Sequence, residues 1–71
     1  MDSGSFINAC NEKIRELKQA VLDYDIKALK AARDGDKEMF RMYQANSIAS
    51  AGELSGWESA LRLFEESMMA E

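Results

Sequence analysis

Between Ile7 and Ala31, apolar or small residues stand at Ile7, Cys10, Ile14, Leu17, Val21, Tyr24, Ala28 and Ala31. The steps between them alternate three and four without a slip. Residues spaced in this way share one stripe of a helix. A stripe this regular is the a/d seam of a helix packed lengthwise against another helix. Whatever else the chain does, it must supply a helical partner for that seam.

The partner lies in the second half. Phe40, Tyr43, Ser47, Ser50, Leu54, Trp57, Leu61, Phe64 and Met68 repeat the three–four stepping. Between the seams stands Asp34-Gly35-Asp36. Gly35 can take the positive φ that ends a helix, and Asp36 can cap the next one, with Lys37-Glu38 in its first turn. Lys27, Lys30 and Arg33 fall in the closing turns of the first helix, where positive charge complements the helix dipole. A connection so short makes the two helices antiparallel neighbours. The chain contains no proline to interrupt either helix. The expected fold is all-α, an antiparallel two-helix hairpin of coiled-coil type within a single domain, 1–71. Residues 1–4 form a mobile tip, 5–33 the first helix, 34–36 the turn and 37–69 the second helix. Ser5 is the expected N-cap of the first helix, with Ser3 as the alternative.

Folding the seams about Gly35 sets opposite each other residues whose numbers add to about 71. Small Ala28 and Ala31 then meet large Tyr43 and Phe40. Tyr24 and Val21 meet Ser47 and Ser50, Leu17 meets Leu54, Ile14 meets Trp57, and Cys10 meets Leu61. Much of this alternates large against small, as a filled core requires. In the same register Lys18 comes within a turn of Glu58, and Lys13 of Glu53. A three-helix bundle is the competing fold. Ser50-Ala51-Gly52-Glu53 and Ser55-Gly56-Trp57-Glu58 both match a capping box, and a helical glycine costs about 1 kcal/mol relative to alanine. A break near 50–56 would follow. Asp23 and Asp25 are weak helix formers within the first helix.

The hairpin leaves apolar residues over. Leu22, Ile26 and Leu29 point away from the seam of the first helix. Met42, Ala45, Ala49, Gly52, Gly56, Ser59 and Leu63 form a second stripe on the other. An apolar outer surface on a two-helix chain calls for a partner. Leu22, Ile26, Leu29, Met42, Ala45 and Ala49 are therefore the expected self-association or partner surface. A homodimer closing into a four-helix bundle is the simplest outcome.

Composition narrows the chemistry. At 71 residues the chain has little interior to stabilise it alone. Apolar residues at 46% and charged residues at 31% describe a soluble folded chain, not a disordered one. There is one cysteine and no histidine, so neither an internal disulfide nor a structural zinc site is expected, and a reducing, cytoplasmic setting fits. No stretch has the length of a membrane span, and the first residues lack the order of a signal peptide. Cys10 lies on the seam and reads as a buried, inert thiol. No nucleophile–base arrangement is legible, so no catalytic residue, cofactor or metal is assigned and the chain is read as a non-enzyme. Glu53, Glu58, Glu65 and Glu66 read as a solvated acidic face.

Three function classes remain. The first is a protein-interaction module acting as a homo-oligomer on an unidentified protein, as an adaptor, inhibitor or assembly factor. The methionines Met39, Met42, Met68 and Met69, or Trp57 as an anchor, would serve it. The second is nucleic-acid binding through Lys27, Lys30, Arg33, Lys37 and Arg41 near the turn. Asp34, Asp36 and Glu38 are interleaved there and largely cancel the charge. The third is an acidic mimic of nucleic acid. Residues 34–71 carry three Lys/Arg against eight Asp/Glu, whereas residues 1–33 carry six against five. The architecture is similar to that of small dimeric hairpin bundles, and small acidic helical chains are frequent among phage accessory proteins. No motif here names a family.

Overall fold

The computed structural model describes residues 3–69. They form α1, Ser3–Arg33, and α2, Lys37–Met69, and no strand is present among them. The two helices pack along their length as a hairpin, in a body 55 × 16 × 14 Å.

The turn works through backbone geometry. Gly35 has φ +76°, in the left-handed region. The Asp36 N–H donates to the Ala31 carbonyl at 2.9 Å, and the Gly35 N–H donates to the Ala32 carbonyl at 3.1 Å. This pair of bonds is a Schellman motif, which satisfies carbonyls that the end of α1 would otherwise leave unpaired. Asp36 then starts α2: its carboxylate accepts the Met39 N–H at 3.1 Å, and its carbonyl accepts the Phe40 N–H at 3.0 Å. One glycine and one aspartate thus close one helix and open the next.

The core is a single layer of side chains between the helices. Cys10, Ile14, Leu17, Ala28 and Ala31 of α1 and Ser47 of α2 are buried. Ile7, Val21, Tyr24, Phe40, Tyr43, Ser50, Leu54, Trp57, Leu61 and Phe64 are half-buried. The expected seams are therefore the faces that meet. Three contacts sit within one residue of the expected register. The rings of Phe6 and Phe64 lie 4.5 Å apart, Ser47 bonds to Asp25, and the Lys27 ammonium stands 5.8 Å from the Tyr43 ring centre.

Several details differ from expectation. α1 begins at Ser3, so Ser5 lies inside the helix and is not its cap. The Phe6–Phe64 contact explains this, because it holds the first turn of α1 on α2. Of the expected mobile tip, Ser3 and Gly4 are helical, and Met1 and Asp2 lie outside the described residues. The seam of α2 stops at Phe64. Met68 is exposed, since the level of Ser3 and Gly4 offers no large side chain to cover it. Asp25 and Lys27 make polar contacts between the helices, whereas among the described residues Lys13 does not pair with Glu53 nor Lys18 with Glu58.

α2 runs unbroken through Gly52 and Gly56. Ser50, Leu54, Trp57 and Leu61 keep their places on α1 throughout this stretch. Burying each of the larger three is worth on the order of 1–2 kcal/mol, which outweighs about 1 kcal/mol for each glycine. A break would lift them from α1. The three-helix alternative is not the fold.

Two outcomes test this layer. Leu17 is 7% exposed, so Leu17→Ala is expected to lower unfolding stability by about 2–5 kcal/mol, read from denaturant midpoints. Gly35→Val forces a β-branched residue into positive φ and is expected to cost about 1–2 kcal/mol, with Gly35→Asn costing less. Equal stability of the valine variant and the wild type would contradict the turn geometry.

Candidate interaction surface

Polar groups near the seam are placed with economy. Ser47 is the buried polar residue of the core, and its Oγ–H donates to Asp25 Oδ1 at 2.6 Å. A hydroxyl left unpaired there would carry a desolvation penalty of about 1–3 kcal/mol, so the bond removes a cost as much as it adds attraction. Asp23 accepts a bond from Gln19 Nε2 at 3.0 Å, one turn away on the same helix. The two mid-helix aspartates are thereby both engaged.

The bond also defines the two sides of the hairpin. On one side Asp25, Ala28 and Leu29 share a shallow groove with Phe40 and Gln44. On the other, Lys27, Lys30 and Ala31 share a depression with Met39 and Tyr43, closed toward the turn by Asp34 and Asp36. Here the Lys27 ammonium lies 5.9 Å from the Tyr24 ring and 5.8 Å from that of Tyr43. Such contacts contribute about 0.5–1 kcal/mol at exposed sites. The second side is thus capped by one cation, Lys27, beside two rings. Lys27 and Lys30, from the basic cluster at the turn, face tyrosines and aspartates there.

The expected partner residues can now be placed. Leu22, Ile26 and Leu29 are between 56% and 64% exposed on the outer face of α1. Ile26 and Leu29 line a depression with Lys30, Arg33 and Asp34 at its turn-side edge. Met42 is 45% exposed, and Ala45 and Ala49 are exposed too, on the outer face of α2. The six residues therefore make two strips, one on each outer face. In a two-helix hairpin each helix stands between its partner and its own outer face, so the two faces look in opposite directions.

Ile48, at 68% exposure, was not legible as a surface residue in either stripe. It stands four residues beyond Gln44, which puts it on the same row of α2. That row borders the groove of Asp25 and Leu29. Its signal required knowing which side of α2 lies beside which side of α1. Leu63 and Met69 are also exposed, toward the far end of α2.

Trp57 is a half-buried seam residue. One edge of it borders a shallow, largely apolar depression with Glu53, Gly56 and Ala60. Gly52 and Gly56 neither break α2 nor bring the helices together, since a Cβ added at either would meet nothing within 4 Å. Among the described residues no group of three or more His, Cys, Asp or Glu side chains is placed to hold a metal ion. Nor is any helix among them long and apolar enough to cross a membrane.

Searches against models of protein families, against characterised proteins and against solved structures find no match to this chain.

Gly56→Ala tests the open space beside Trp57. The added methyl meets nothing and removes glycine's entropic cost. The variant is expected to gain about 0.5–1 kcal/mol, raising Tm by several degrees in a calorimetric scan. A loss of stability would mean that another surface lies against Gly56.

Proposed function

We propose that this chain is a non-catalytic protein-interaction module that acts as a helical homo-oligomer, as an adaptor, inhibitor or assembly factor. One observation carries the reading. Leu22, Ile26 and Leu29 stand in a row on α1, each more than half exposed. Single exposed apolar residues are ordinary, but a contiguous row of large ones marks a contact surface. Lys30, Arg33 and Asp34 at one edge resemble the polar rim around an interface core.

Pairing two hairpins gives four helices around a common core and supplies the second layer that one hairpin lacks. A two-fold axis would make the contact self-complementary. With two outer faces per hairpin, a dimer keeps apolar surface for a different protein: Met42, Ala45 and Ala49 on α2 are suited to that role. A cytoplasmic location belongs to the same reading, as the lone Cys10 is a buried free thiol.

Sedimentation of the wild type and Ile26→Glu tests the proposal. The wild type is expected at twice the chain mass of 8.0 kDa. Ile26→Glu is expected at the chain mass, because it puts a charge in the contact and leaves the partner's strip wet. Equal masses for the two proteins would remove Ile26 from any self-contact.

A further inference from the structure

We infer that a second copy of this chain seats on the side of the hairpin that carries Leu22, Leu29 and Ile48, covering the Asp25–Ser47 hydrogen bond. The inference rests on the homo-oligomer reading above and specifies its interface.

The two sides of the hairpin are chemically unequal. The side facing Lys27 already has its tyrosine rings covered by a cation, and its groove ends in Asp34 and Asp36. The other side has aliphatic walls with nothing over them. Leu22 and Leu29 lie three before and four after Asp25, so all three share one row of α1. Ile48 follows Gln44 by one turn on α2. The walls are 56%, 64% and 68% exposed for Leu22, Leu29 and Ile48. Leu29 lines the groove with Asp25, Ala28, Phe40 and Gln44, and Leu22 and Ile48 continue its two rows along the helices. Ile26 continues the apolar surface around α1.

The polar group in this side is prepared for cover. A carboxylate placed under another chain needs donors, since its water is removed. Asp25 already has one in the Ser47 hydroxyl at 2.6 Å, and Gln44 lines the same groove.

Surface area favours a second copy as the occupant. The hairpin exposes 5424 Å². A compact monomer of its mass would expose about 4,500 Å². The excess of roughly 900 Å² is close to the ~800 Å² that each partner contributes to a stable, specific interface. It arises from the elongated 55 × 16 × 14 Å shape, which one side-by-side pairing would thicken toward a globular bundle. The outer strip of α2 offers less near the turn, because Ala45 and Ala49 are small and the next large side chain after Met42 is Leu63, beyond Gly52 and Gly56.

Two charge insertions separate the sides: Ile48→Glu on the inferred contact and Met42→Glu on the opposite shoulder of α2. Ile48 is 68% and Met42 45% exposed in the hairpin, and far-UV circular dichroism checks that the helices persist. Leu29→Gln serves in place of Ile48→Glu should that variant lose its helicity. Masses are measured by sedimentation over a dilution series. The expected result is a wild-type dimer, a dimer constant weakened at least tenfold by Ile48→Glu, and no comparable change with Met42→Glu. A wild-type dimer that survives Ile48→Glu and Leu29→Gln overturns this interface and leaves the homo-oligomer reading standing. A wild type that stays at the chain mass overturns both.

Discussion

One layer of side chains holds this molecule together. Two helices that touch along a single line can bury only the residues on that line, and here few are fully enclosed. Every other feature follows from the thinness of that layer. The helices must be long, because only length adds contacts. The turn must be tight, because a loose connection would let the register slide. Small residues must sit near the turn, where Ala28, Ala31 and Ser47 let the two backbones come together under Tyr24, Phe40 and Tyr43.

A thin seam also makes polar contacts at its edges consequential. Ser47 would be a defect in an apolar seam, yet its bond to Asp25 turns it into a marker of register. Sliding one helix past the other would leave the hydroxyl without that partner. Lys27 covers two tyrosine rings on the opposite edge. Phe6 against Phe64 performs a similar task at the open end, where the helices would otherwise fray. The pairing is thus pinned at the turn, in the middle and at the far end.

The same thinness shapes what the molecule can do. The depressions near the turn are shallow grooves between or along the helices. What the molecule offers is surface. That surface is uneven, with aliphatic side chains uncovered on one side and the Lys27 cation folded over two rings on the other. An uneven hairpin has a preferred direction for a neighbour, which a uniformly polar one would lack.

The sequence by itself determined the two helices, the turn and the faces that meet. Seam spacing, Gly35 and Asp36 are local signals, and local physics suffices to read them. It also placed Leu22, Ile26, Leu29, Met42, Ala45 and Ala49 off the seam. It misjudged the start of α1, where the deciding contact, Phe6 on Phe64, joins residues from opposite ends of the chain. The glycines at 52 and 56 left two folds open, because propensity and seam packing disagree there and only the packed partner decides between them. Tertiary structure alone settled which flank of α1 lies beside which flank of α2. Periodicity gives each residue an angle about its own helix but does not relate the angles of two helices. Only the docked pair does that, which is why Ile48, one turn beyond Gln44, falls on the side of the Asp25 and Leu29 groove while Met42 was left on the far shoulder.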